Sequence, residues 1–137
     1  MVFITRRERF SSAHRMYKDN LTDEENLALY GKCANPNWHG HNYVLYVTVK
    51  GDVSEESGYL VDASTLSEII NRQVVEKIDH KNINLDVAFM RGKIVSTENL
   101  AIAIWEVLEP HIKKLGITLH CIKLEETENN AIEYYGK

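Results

Sequence analysis

Residues 41–51, HNYVLYVTVKG, alternate with a period of two, so that Tyr43, Leu45, Val47 and Val49 share one face. Successive side chains of a strand point to opposite sides, and Tyr, Val and Thr suit a pleated surface. The stretch therefore predicts a strand that ends at Gly51 and has one apolar face needing a cover. Two segments of helical period supply it. In ESGYLVDASTLSEIINRQVVEKIDH, a turn at Ser57–Gly58 leads into Leu66, Ile69, Ile70, Val74 and Ile78 at helical spacing, with Asp62 or Ser64 as the N-terminal cap. In IVSTENLAIAIWEVLEPHIKKLG the apolar series is Leu100, Ile104, Val107, Leu108, Ile112 and Leu115. Ser96 or Thr97 caps it, Lys113 and Lys114 suit its C-terminal end, and Gly116 stops it. Pro110 is expected to kink or split this helix.

Further strands follow from composition and alternation. VFITRRERFSSAHR reads as an imperfectly alternating first strand, and ITLHCIKLEET and NAIEYYGK as two closing strands joined by a tight turn at ENN. In the first closing strand, Ile117, Leu119, Cys121 and Lys123 share one face, and Thr118, His120, Ile122 and Leu124 the other. Between the first two strands, MYKDNLTDEENLALYGK suggests a short helical turn inside a long insertion. The order is strand, strand, helix, helix, strand, strand. It predicts an α+β domain over residues 1–137, with a four-stranded antiparallel sheet and two helices on one face.

Bulk properties narrow the function. A net charge of −4 without a basic stripe argues against nucleic acid as a partner. No apolar run approaches the length of a membrane span, and MVFITRRERF carries no apolar signal core. Cys33 and Cys121 are too few for a disulfide framework, so a reduced, cytoplasmic protein is expected.

The stretch GKCANPNWHGHNY, residues 31–43, concentrates chemistry. His39 and His41 lie two apart, so on an extended chain both imidazoles point to one side, as a metal-ligand pair would. A catalytic zinc typically takes three protein ligands, and the remaining candidates are His14, His80, His111, His120 and Cys33. His14 is chosen because antiparallel pairing would bring the end of the first strand beside HGH. Cys33 is either a fourth ligand closing the site or a free thiol near the metal, acting as base or nucleophile; spacing leaves both open. Asp79 and His80 are adjacent, and a carboxylate beside a histidine can fix its tautomer for proton transfer. In LEETENN, one of Glu125, Glu126 and Glu128 can grip a ligand edge bearing paired N–H donors; the alternative is a solvated acidic turn.

Together, FSSAHR, LTDEENLALYGKCANPNWHGHNY, IDHKNIN, STEN and EETENN, in that order, resemble the 6-pyruvoyltetrahydropterin synthase family across nearly the whole chain. The resemblance implies the tunnelling fold, in which three sheets close into a barrel and two trimers stack into a homohexamer. It implies Zn2+ held by His14, His39 and His41. Cys33 is implied as the proton-transfer cysteine, Asp79 with His80 as the Asp–His pair, and Glu126 as the pterin anchor, with Thr97 and Glu98 lining the same pocket. The implied substrate is a small-molecule pterin triphosphate, 7,8-dihydroneopterin triphosphate, converted to 6-pyruvoyltetrahydropterin with loss of triphosphate. The five residues between Cys33 and His39 match this branch rather than the 6-carboxytetrahydropterin synthases, where the spacing is shorter. A non-catalytic pterin-binding zinc protein is the remaining alternative. Trp38 departs from the small residue expected immediately before HGH.

Overall fold

The computed structural model describes all 137 residues, Met1–Lys137. The elements in chain order are β1 (Val2–His14), α1 (Asp23–Tyr30), β2 (His39–Gly51), α2 (Ala63–Ile70), α3 (Glu76–Ile78), β3 (Lys81–Asn82), α4 (Ile83–Asp86), α5 (Thr97–Lys113), β4 (Thr118–Thr127) and β5 (Asn130–Tyr134). They form one five-stranded mixed sheet of order β3-β1-β2-β4-β5. The four long strands pair antiparallel in the order β1-β2-β4-β5, while β3 runs parallel to β1 at the edge. The expected four-stranded sheet and simple element order are thus corrected in two places. A full helix, α1, sits in the insertion, and β3 with α4 intervenes between the main helices. A two-residue strand is too short to leave a period in the sequence.

Tyr43, Leu45, Val47 and Val49 are all fully buried, and they meet Leu66, Ile70, Val74 and Ile78 from one helical layer and Leu100, Ile104, Leu108 and Ile112 from the other. Truncating any of these leucines or isoleucines to alanine would cost roughly 2–5 kcal/mol. Asp62 caps α2 by accepting from the Ser64 amide at 2.8 Å, and Ser96 caps α5 by accepting from the Asn99 amide at 3.1 Å. Between α2 and α3 the chain makes a π-helical turn at Asn71–Val75. Buried positions 66, 70, 74 and 78 keep a strict four-residue spacing, which drifts around a 3.6-residue helix; the wider π turn takes up that drift. Pro110 does not split α5, which continues to Lys113; the proline lies exposed one turn from the end. Leu115 lies beyond the helix and is 39% exposed.

The two-face reading of β4 fails because of a bulge. Thr48 pairs with Cys121 but Val49 pairs with Leu119, so His120 is an extra residue on β4. One extra residue inverts the parity of a strand. Leu119 therefore faces the core before the bulge, and Ile122 and Leu124 face it after. A second irregularity follows: Glu125 pairs with Ala131 and Thr127 with Asn130, leaving Glu126 as the extra residue.

Candidate metal centre and the adjoining cavity

The β1–β2 register places His14 opposite His39 and Ser12 opposite His41. With His39 and His41 on the same face, three imidazoles converge, their ring centroids 4.4, 4.9 and 5.1 Å apart. From β4, the bulge at Glu126 adds a carboxylate. One ligand atom from each of His14, His39, His41 and Glu126 lies within 4.8 Å of all the others.

The polar partners around these groups prepare them as ligands. His14 Nδ1 lies 2.8 Å from the Val95 carbonyl oxygen. A carbonyl only accepts, so Nδ1 carries the proton and Nε2 presents its lone pair to the cluster. Burial pushes the His14 pKa down to about 4; the charges of His39 and His41 act the same way, while the Val95 bond and Glu126 oppose. Burial, then His41, also lowers the pKa of His39. His14 Nε2, His39 Nδ1 and His41 Nε2 are buried without a hydrogen-bond partner. His41 Nε2 approaches Glu126 Oε1 at 2.8 Å, but without hydrogen-bond geometry. The Thr97 hydroxyl donates to Glu126 Oε2 and orients the carboxylate. Three orphaned, convergent nitrogens plus one carboxylate oxygen fit a metal ion better than a hydrogen-bond network, since orphaned buried polar atoms are rare.

Cys33 lies outside that cluster, in the 3₁₀ turn Gly31–Ala34. It lines a cavity of about 620 Å³ that also touches His39, His41, Glu126, Leu27 and Lys32. The turn begins at Gly31, whose φ of 62° lies in the left-handed region that glycine adopts without strain. Trp38, half-buried, also has a left-handed φ of 68°, and its ring packs edge-on to Tyr17 at 6.4 Å. A left-handed position favours glycine, which accounts for the small residue expected there.

Asp79 and His80 form a real pair, with Asp79 Oδ2 2.9 Å from His80 Nδ1. The Ser11 amide donates to Asp79 Oδ1 at 2.8 Å, and this bond is the main reason that the carboxyl pKa is lowered. His80 is held left-handed, at φ 59°, with its amide bonded to the Ser11 carbonyl at 2.6 Å. Its side chain is 83% exposed and lines a cleft beside β3 with Ser11, Ser12 and Asn82, not the Cys33 cavity. Glu98 is exposed on the first turn of α5 and makes no hydrogen bond or ion pair within the chain. His111 lies in the last turn of α5, and His120 packs between Phe3 and Tyr135; neither joins the cluster. Sequence reasoning missed the Val95 carbonyl and the buried Tyr43 hydroxyl, which has no hydrogen-bond partner. The i, i+2, i+4 run of His39, His41 and Tyr43 was the one available signal for the latter.

The fold and site define an α+β sheet protein with a partly buried cluster of three histidines and one carboxylate beside a cysteine-lined cavity. Residues 3–137 match the family model described as 6-pyruvoyl tetrahydropterin synthase, and the chain belongs to that family. It is 48% identical over 136 residues to the 6-pyruvoyl tetrahydrobiopterin synthase of Dictyostelium discoideum, covering 99% of this chain and 97% of that one. It is 40% identical over 134 residues to the human protein of the same name, covering 98% and 91%. The structure of Caenorhabditis elegans 6-pyruvoyl tetrahydropterin synthase superposes with a TM-score of 0.91 at 36% identity, covering 99% of this chain and 96% of that one.

Proposed function

We propose that this chain is a zinc-dependent lyase converting 7,8-dihydroneopterin triphosphate to 6-pyruvoyltetrahydropterin with release of triphosphate, a step of tetrahydrobiopterin synthesis. The observation that carries the proposal is the convergence of the buried, unpartnered nitrogens of His14, His39 and His41 beside the cavity that holds Cys33 and Glu126. Similarity to synthases of that name over nearly the full length supports it.

Three imidazoles suit zinc and leave its fourth position open for substrate. A bound zinc ion supplies Lewis acidity toward the hydroxyls of the substrate side chain. His14, His39 and His41 hold the ion. Glu126, oriented by Thr97, accepts from the 2-amino and N3–H edge of the pterin and so fixes its ring relative to the site. Cys33 as thiolate removes the carbon-bound proton, and His80, oriented by Asp79, carries protons onward. Glu98, exposed on the turn that bears Thr97, is assigned to the pocket rim.

The reading takes residues 1–137 as one catalytic domain in a cytoplasmic, homohexameric enzyme whose sheets join into a barrel. Two unpaired thiols suit a reducing compartment. No helix is long and apolar enough to cross a membrane. Association between subunits is supported by His80, 83% exposed, which within one chain lines a cleft that shares only His41 with the Cys33 cavity.

Metal-loaded protein incubated with the substrate is expected to release triphosphate; no release would overturn the proposal. Product mass separates the 6-carboxytetrahydropterin reading, in which a two-carbon fragment is also lost. Substrate that binds without turnover would indicate the non-catalytic reading. The five residues between Cys33 and His39 favour the pyruvoyl product.

A further inference from the structure

The turn that carries Cys33 is tied to the strand end that carries His14. The Met16 amide donates to the Cys33 carbonyl at 2.7 Å, and Arg15 Nε donates to the next carbonyl, that of Ala34, at 2.9 Å. Two consecutive carbonyls of the turn are thus held by the two residues that follow His14. Arg15 is itself fixed. Its backbone amide donates to Asn84 Oδ1 and its carbonyl accepts from Asn84 Nδ2, both at 2.9 Å, so one side chain of α4 replaces a strand partner on both backbone groups. The guanidinium sits 4.4 Å from the Tyr17 ring centroid, and Nη2 meets Asp23 Oδ1 at 3.0 Å. The Arg15 side chain is only 11% exposed, whereas that of Asp23 is 77% exposed.

We propose that Arg15 is a positioning residue that sets the place of the Cys33 sulfur relative to the histidine cluster. The inference rests on Cys33 as the proton-transfer group. The path from His14 to the turn runs through backbone atoms of residues 14–16 and the Arg15 side chain, whose planar guanidinium is held by the Ala34 carbonyl, the Asp23 carboxylate and the Tyr17 ring. A guanidinium can donate sideways through Nε while its outer nitrogen faces a carboxylate; a lysine ammonium on a flexible stem cannot hold both directions. Proton abstraction demands placement to a fraction of an ångström, so loosening this tie lowers kcat more than it changes substrate affinity.

The test compares Cys33→Ala, Arg15→Lys, Arg15→Met and Asp23→Asn in the metal-loaded protein, reading kcat, KM, bound zinc, Tm and the rate of Cys33 alkylation by iodoacetamide, followed by peptide mass. Cys33→Ala is expected to abolish turnover. Both Arg15 variants should lose about tenfold or more in kcat, with KM and bound zinc nearly unchanged and the Cys33 alkylation rate altered severalfold. Asp23→Asn keeps an oxygen acceptor for Arg15 Nη2 and removes only the charge of a largely exposed carboxylate, so its kcat should stay within about twofold of the parent. If kcat and Cys33 alkylation in Arg15→Lys match the parent while Cys33→Ala is inactive, the positioning role is overturned. If both Arg15 variants lose zinc and Tm together with activity, Arg15 is a structural residue and the inference is again overturned. Turnover retained by Cys33→Ala would instead overturn the reading of Cys33 itself.

Discussion

His14 is 1% exposed, and its ring nitrogens are divided between the Val95 carbonyl and the cluster. Its pKa falls from 6.5 to about 4 on folding of the metal-free protein. The depressed histidine stays neutral in the folded chain while the unfolded chain takes up a proton, so stability declines as pH falls from 6.5 toward 4 and this contribution levels off below 4. A shift of that size corresponds to roughly 3 kcal/mol, and His39 shifts in the same direction. Denaturant unfolding of the metal-free protein at pH 7.5 and pH 4.5 is the measurement; equal midpoints would sink the argument. Tyr43 presents a second residue-scale case. Its hydroxyl is buried and unpartnered, and burial, with Glu126 and Cys33 nearby, pushes the phenol pKa up. Tyr43→Phe therefore removes no hydrogen bond within the chain. Its Tm is expected to equal or exceed the parent value, whereas a fall of about 4 °C or more would show that the hydroxyl is bonded.

Among the elements, α5 does more for the site than Thr97, the one residue that it places beside the cluster, suggests. Ser96 caps the helix, Val95 on one side of the cap holds His14, and Thr97 on the other holds Glu126. Ser96→Ala is expected to cost about 1 kcal/mol, or about 4 °C in Tm, as loss of a cap does. It should also weaken metal binding, because both supporting contacts flank the lost cap. A drop in Tm with unchanged metal affinity, read by competition with a chelator, would separate the cap from the site. How legible these features were follows from their range. His39 and His41 could be read from local spacing, and His14 from the expectation that two strands pair antiparallel. The main helical stripes were legible because a 3.6-residue period is a local signal. Glu126 could not be told from Glu125 and Glu128 by spacing, since its direction depends on a bulge in the pairing of β4 with β5. The inversion at His120 escaped for the same reason. Arg15, Asn84 and Val95 act through contacts across 19 to 81 positions, which no local pattern announces.

At the scale of the whole molecule, one chain holds every group of the proposed reaction but does not gather them. Cys33 faces the cavity of the histidine cluster, whereas His80, 83% exposed, faces a cleft at the β3 edge of the sheet. The structure offers two sheet edges for association, β3 with β1 on one side and β5 on the other. The first residues of β1, with Phe3 54% exposed, leave apolar surface there. Unpaired edges with apolar neighbours invite strand pairing unless another subunit covers them. If neighbouring subunits join at these edges, one chain's Asp79–His80 pair can complete another's cavity. Subunit mixing tests this directly. Cys33→Ala and His80→Ala chains, each inactive alone, should regain activity when co-expressed. Random mixing pairs an intact Cys33 with an intact neighbouring His80 in about one quarter of the interfaces, so activity should approach that fraction of the parent. Mixed oligomers that assemble yet remain inactive would place the whole reaction within a single chain, with His80 reaching Cys33 by a rearrangement of the β3 segment.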